Sequence, residues 1–148
     1  MVLLVMTDRD PVLEPFDALI GAWATEATHP LVDAVVPGGV TFEWLEGGHF
    51  LIERSHNEHE SFPDAIRVIG APETGDGLVM EYFDSRGVRR TYGVSLEDGV
   101  LRFQRDAPGF DQRFSATLAP DTFEGLWRLA ETPGDWRDDL KVIYRRRD

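Results

Sequence analysis

The densest group of chemically capable side chains lies between residues 49 and 60, in the run HFLIERSHNEHE. His49, His56 and His59 stand there among several carboxylates, a composition suited to a metal site. Strand geometry argues against that reading, because His56 and His59 are an odd number of residues apart and face opposite sides of a strand. His49 and His59 share a face but lie about 33 Å apart on an extended chain. We therefore expect solvated polar residues and no metal site.

Aromatic and polar side chains recur at alternate positions of several predicted strands. Val40, Phe42 and Trp44 share one face of their strand, and Trp127 lies on an apolar face of a later one. The last strand, WRDDLKVIYRRR, is expected to turn Trp136, Asp138, Leu140, Val142 and Tyr144 inward. The orientation of Arg113 stays open, since its neighbours Phe114 and Ala116 form the more apolar set. The predicted ligand-binding residues are Trp23, Phe42, Trp44, Arg113, Trp127, Trp136, Asp138 and Tyr144.

Composition excludes several other classes of function. Fifteen Lys and Arg residues against 27 Asp and Glu give a net charge of −12, which opposes binding to nucleic acid or to an anionic membrane. The chain has no cysteine, and the apolar start MVLLVM is too short for a signal peptide, so we expect a cytoplasmic protein. Its 148 residues suit one domain, with residues 1–9 as a flexible N-terminus.

The elements that must position these residues are mostly strands. A short helix is predicted from the cap Asp10 to the stop at Gly21, with Leu13, Phe16 and Leu19 on its apolar side. About ten short strands with turn signals follow, separated by short connections. Such a meander predicts an all-β, antiparallel, up-and-down barrel whose closure removes unpaired edges, with the helix capping one end. The longer stretch at 29–39 is expected to be a loop, either a lid or a packed connection.

Several motifs, in this order, give the chain a resemblance to known barrels: FDALIGAW, WLEGGHFLIERS, YFDSRGVRRTY, QRFSATL and WRDDLKVIYRR. Together they resemble the calycins, the superfamily of lipocalins and fatty-acid-binding proteins, and within it a bacterial domain family of unknown function. The resemblance implies a barrel whose Gly21-x-Trp23 lies at the closed end and whose lumen holds a small ligand. By likeness to fatty-acid-binding proteins it also implies that Arg113 and Tyr144 could hold a carboxylate.

Nitrobindins, haem-binding barrels, have a similar outline. Gly21, Trp23 and Pro30 fit the nitrobindin pattern, whereas Thr25 and Ala27 stand where that family has glycine. Nitrobindins ligate haem iron through a histidine on the last strand, and here every histidine lies within the first 60 residues. Haem is therefore disfavoured, and no cofactor is predicted.

Our leading hypothesis is a barrel that binds a small apolar or amphipathic molecule in its lumen. The chain has no nucleophile motif, phosphate loop or dinucleotide fingerprint, so we identify no catalytic residue. Three alternatives stay open: a nitrobindin-like haem protein, an enzyme with a lumenal Tyr, Asp and Arg site, and a structural or interaction module with a filled barrel. Assembly as a homodimer is also left open.

Overall fold

The computed structural model describes residues 10–148 as a short 3₁₀ helix followed by a closed barrel of ten antiparallel strands. The predicted flexible segment 1–9 lies outside the described residues. The helix spans Pro11–Leu19, and the strands are β1 Gly21–His29, β2 Val32–Trp44, β3 Phe50–Asn57, β4 Ala65–Gly70, β5 Leu78–Asp84, β6 Arg89–Glu97, β7 Val100–Arg105, β8 Asp111–Thr117, β9 Thr122–Ala130 and β10 Arg137–Arg146. Each strand pairs with its neighbours in sequence, and β1 pairs with β10 to close the ring. The predicted all-β up-and-down barrel is confirmed.

The helix begins where its cap predicts. Asp10 accepts a hydrogen bond from the Val12 backbone N–H at 3.0 Å, satisfying a helix-terminal donor. Leu13, Phe16 and Leu19 recur every third residue, which places them on one face of a helix with three residues per turn. All three are buried in the main core, so the helix closes this end of the barrel, called the closed end below. Within residues 10–148, no helix has the length and hydropathy to cross a membrane.

The prediction of a loop at 29–39 is wrong. β1 ends at His29 and β2 begins at Val32, so a tight hairpin turn replaces it, and Leu31 is 88% exposed instead of lying over the barrel. The Pro and Gly residues that suggested a loop belong to the ladder, where Gly38 pairs with Thr25. A Cβ on Gly38 would lie 2.2 Å from the carbonyl oxygen of His56, so the close approach of β3 requires glycine there.

Two irregularities in register lie at the opposite end, called the open end. The pairing of β10 with β9 shifts between Asp138 and Lys141, and the pairing of β1 with β2 shifts between Ala27 and His29. An inserted residue exchanges the two faces of a strand. The faces of β10 before and after this bulge therefore differ from the continuous alternation that the sequence suggests.

Candidate ligand site in the barrel lumen

The interior at the closed end is filled by side chains. Trp23 is 1% exposed, and its indole N–H donates to the carbonyl oxygen of Leu19 at 2.9 Å. Phe123 meets its ring edge-on at a centroid distance of 5.0 Å, and the Arg146 guanidinium lies 4.0 Å from the ring centroid. These contacts leave the indole as a plug rather than as the wall of a cavity.

Two more of the predicted aromatic residues belong to this packing. Phe42 is buried in the same core, and Trp44 is half-buried at the closed end, where its indole N–H donates to the Asp17 carboxylate at 2.9 Å. Side chains therefore fill the closed half of the barrel.

The interior toward the open end carries an ion pair. Glu53 on β3 and Arg67 on β4 are register partners, and Arg67 Nη1 lies 3.2 Å from Glu53 Oε2. Glu53 lies two residues after the buried Leu51, and Arg67 lies two residues before the buried Ile69. Residues two apart share a face of a strand, so both charged side chains point into the lumen. Their side chains are only 8% and 16% exposed, respectively. A buried charged pair of this kind needs further hydrogen bonds to offset its lost hydration.

Arg67 has one buried donor that lacks a partner. The guanidinium lies 5.0 Å from the centroid of the Tyr82 ring, and its Nη1 is 3.5 Å from Ser55 Oγ. Among residues 10–148, Arg67 Nε is the one buried side-chain nitrogen or oxygen without a hydrogen-bond partner. Burial alone would lower the pKa of Arg67, but the Glu53 charge raises it, so the side chain stays a cation.

The chain's three tyrosines all face this part of the lumen. The Tyr82 hydroxyl donates to Asp84 Oδ2 at 2.7 Å, and the Tyr92 hydroxyl donates to Gln112 Oε1 at 2.9 Å. Tyr144 stacks on Phe123 with ring centroids 4.5 Å apart, and its hydroxyl makes no hydrogen bond to residues 10–148. Of the three phenols, Tyr144 is therefore the one left to engage another molecule.

Burial keeps two of these phenols neutral. It raises the pKa of Tyr144 far above the usual tyrosine value, an effect that Glu53 reinforces and Arg67 opposes. Burial and the bond to Asp84 raise the pKa of Tyr82 to about 12. We call the inward-facing polar side chains at this level the polar belt: Glu53, Arg67, Tyr82, Tyr92, Gln112 and Tyr144.

Part of the polar belt is accessible to water. Arg67 retains 16% of its side-chain exposure although it points into a closed barrel, and the inward-facing Tyr144 is likewise only half-buried. Side chains inside a barrel keep accessible surface only where a water-sized gap adjoins them. An aromatic wall flanks this level, with the Tyr92 ring centroid 6.2 Å from Tyr82 and 5.5 Å from Trp127. Trp127 thus faces the lumen as predicted.

Three of the predicted ligand-binding residues lie outside the lumen. Arg113 is on the outer wall, where Nη2 lies 2.8 Å from Asp106 Oδ1 and the guanidinium lies 5.0 Å from the Trp136 ring centroid. Asp138 is exposed and pairs with Arg128 at 3.2 Å. The neighbours of Arg113 turn inward instead, and the β10 bulge undoes the expected face of Asp138. The expected inward position of Trp136 and Asp138 is therefore wrong, and Arg113, whose orientation the sequence left open, faces outward.

The sequence reasoning missed Glu53, Arg67 and Gln112. The apolar residues Phe50 and Ile52 suggest the opposite face of β3 as the inner one, yet Phe50 points outward and is 39% exposed. A usable signal was present, because β3 and β4 pair symmetrically about the NEHESFPD connection, bringing Glu53 opposite Arg67. Opposite charges at matching distances from a turn are candidates for a cross-strand pair.

Two of the histidines pair with aspartates. His29 Nε2 lies 2.7 Å from Asp139 Oδ1, while its Nδ1 accepts the Leu31 backbone N–H at 3.1 Å, so both ring nitrogens are used. His56 pairs with Asp64 at 3.0 Å. Residues 10–148 contain no cluster of three or more His, Cys, Asp or Glu side chains arranged to hold a metal ion.

A cleft of about 1020 Å³ lies on the outer surface, between the start of the helix and the wall of β3 to β5. Its lining combines apolar residues such as Phe50, Val68 and Val79 with the polar residues Asp10, His49, Glu73 and Glu81. A specific site needs a few converging polar groups in addition to volume. The polar belt has such groups, so we place the candidate site in the lumen.

Comparisons support the fold. The sequence matches no protein-family model and no curated protein. One similar solved structure is titled "Crystal Structure of Rv2717c from M. tuberculosis"; it is 14% identical, has a TM-score of 0.68, and aligns over 95% of this chain and 100% of that one. At this level of identity the likeness supports a barrel fold and carries nothing about a ligand.

Proposed function

We propose that this protein is a ligand-binding barrel of the calycin type that holds one small amphipathic molecule at the polar belt. The observation that carries the proposal is the inward-pointing Arg67 guanidinium, which has a buried Nε without a partner while its side chain stays 16% exposed. Leaving a buried donor unpaired costs about 1–3 kcal/mol, and a bound acceptor for the guanidinium would offset part of that cost. The aromatic wall supplies apolar contact area, and the polar belt supplies orientation.

The filled closed half limits the size of the ligand. Trp23 and Leu51 have essentially no exposed surface, so a long acyl chain could not extend to the helix end. The earlier expectation of Arg113 and Tyr144 holding a carboxylate is replaced by Arg67 and Tyr144, because Arg113 is bound to Asp106 on the outer wall. The ligand in this proposal is compact and sits between β3, β4 and β10.

Titration with Prodan, an uncharged dye whose emission shifts to the blue in apolar sites, tests the proposal. We expect one saturable site, and we expect Tyr144→Phe to weaken binding about fivefold, the equivalent of one neutral hydrogen bond of about 1 kcal/mol. Glu43→Gln, which alters an exposed pair with Arg54 on the outer wall of the same region, serves as the matched control and should leave binding unchanged. Emission that rises without saturation, or equally in both variants, contradicts the proposal.

A further inference from the structure

The charge balance of the polar belt restricts the chemistry of its ligand. Glu53 and Arg67 face each other at 3.2 Å, so the pair adds no net charge to the lumen. The two tyrosines that border the pair, Tyr82 and Tyr144, are neutral phenols at neutral pH. A charged ligand would place an uncompensated charge in a poorly hydrated interior, which is costly.

The hydrogen-bonding capacity of the belt is equally specific. Tyr82 donates to Asp84 and Tyr92 donates to Gln112, so those two hydroxyl protons are committed. Two groups of the belt keep donors without an acceptor: the Arg67 guanidinium, whose buried Nε has no partner, and the Tyr144 hydroxyl, which makes no hydrogen bond to residues 10–148. Both groups can donate a hydrogen bond, so a ligand that fits the belt should supply an acceptor.

The shape of the wall adds a third restriction. Tyr144 stacks on Phe123 with an interplanar angle of 17°, and the Tyr82, Tyr92 and Trp127 rings form an edge-to-face series beside the ion pair. Flat faces favour a flat occupant, because aromatic rings gain from offset or edge-on contact beyond simple burial.

We infer that the ligand of the polar belt is an uncharged, planar molecule with a carbonyl-type oxygen that accepts a hydrogen bond from the Arg67 guanidinium. This inference rests on the proposed function and narrows it to one chemical class. Tyr144 is the second donor to the same molecule, and Glu53 holds the Arg67 guanidinium in place while cancelling its charge.

Three probes of nearly equal size and shape test the inference by calorimetric titration of the intact chain: benzamide, which is neutral, benzoate, an anion, and benzamidinium, a cation. We expect benzamide to bind at least about tenfold more tightly than either ion, because each ion unbalances the lumenal charge. Tyr144→Phe should weaken benzamide binding, and Glu43→Gln on the outer wall should not.

A charge variant tests the reason for the preference. Glu53→Gln leaves Arg67 uncompensated, so the preference should change from benzamide to benzoate. If that variant does not fold, the double variant Glu53→Gln with Arg67→Met keeps the belt neutral while removing the donor, and benzamide should then bind at least about tenfold more weakly. Retained benzamide affinity in the double variant would overturn the role of the Arg67 guanidinium.

The outcomes separate this inference from the proposed function. Benzoate or benzamidinium binding as tightly as benzamide at a Tyr144-dependent site overturns the inference and leaves a ligand-binding barrel. Saturable Prodan binding with no binding of any of the three small probes has the same consequence. Failure of Prodan and of all three probes overturns both.

Discussion

The two halves of the barrel interior are built from the same alternating strands but differ in packing and in hydrogen bonding. At the closed end, Trp23 and Phe16 are buried without gaps and every polar atom of the indole has a partner. At the level of the polar belt, Arg67 has a donor without a partner and keeps accessible surface. Complete packing and complete hydrogen bonding serve stability, whereas a defect maintained in a buried position points to a function for it.

The largest effect is expected from the plug. Trp23→Ala removes the hydrogen bond to Leu19, the edge contact with Phe123 and the stack with Arg146. Large-to-small changes at fully buried aromatic positions cost about 3–5 kcal/mol. Denaturant unfolding should show a loss in that range, while any folded fraction keeps its affinity for Prodan. A loss below about 1 kcal/mol would mean that the closed half is not the tightly packed region.

The next effect tests the belt as a charged pair. Glu53→Gln leaves the buried guanidinium of Arg67 without its counter-charge, which should cost about 3 kcal/mol in the free energy of unfolding. The double variant Glu53→Gln with Arg67→Met should recover most of that loss, since no buried charge remains. Chemical denaturation of both variants measures the difference. Equal losses in the two would show that the pair acts only through packing.

A smaller, pH-dependent effect is expected at the open end of β5. Burial alone would raise the pKa of Asp84, but hydrogen bonds from the Arg86 side chain, the Tyr82 hydroxyl and two backbone N–H groups lower it far below the usual range. A carboxyl with a lowered pKa stabilises the fold above its unfolded value of about 3.9, and that contribution is lost as the pH falls through the folded value. Asp84→Asn should therefore destabilise the chain at neutral pH.

Measurements at low pH supply the control for the Asp84 prediction. The difference in urea midpoint between the wild type and Asp84→Asn should shrink as the pH falls below about 4. On the alkaline side, Tyr82 has its pKa raised to about 12, so its contribution is complete below the unfolded value near 10 and is lost as the pH rises through about 12. A midpoint difference that is constant across the acid range would show that the charge of Asp84 does not stabilise the fold.

The smallest effect on stability should come from the residue with the clearest effect on binding. The Tyr144 hydroxyl has no hydrogen-bond partner among residues 10–148, so Tyr144→Phe breaks no bond within them. We expect the free energy of unfolding to change by less than about 1 kcal/mol, in either direction. A variant that weakens Prodan binding at unchanged stability would separate the working half of the lumen from the structural half.

Local sequence patterns were sufficient to predict much of the fold. Turn residues at short intervals predicted the strand number and the meander, and the cap at Asp10 with apolar residues three apart predicted the helix. The errors fall where a neighbouring strand overrides local preference. Gly38 and Gly39 lie in a strand because β3 approaches too closely for a side chain at Gly38, and the β10 bulge reverses the face of Asp138.

The sequence by itself determined that the chain is an acidic all-β barrel with a helix at one end, because periodicity, turns and charge are local properties. It also placed Trp23, Trp127 and Tyr144 on inward faces. Only the tertiary structure decided which end is solid, that the Glu53–Arg67 pair is buried in the lumen, and that one buried nitrogen of Arg67 lacks a partner. Those facts depend on register and on packing across the lumen, which join residues far apart in the chain and leave no signal at either position alone.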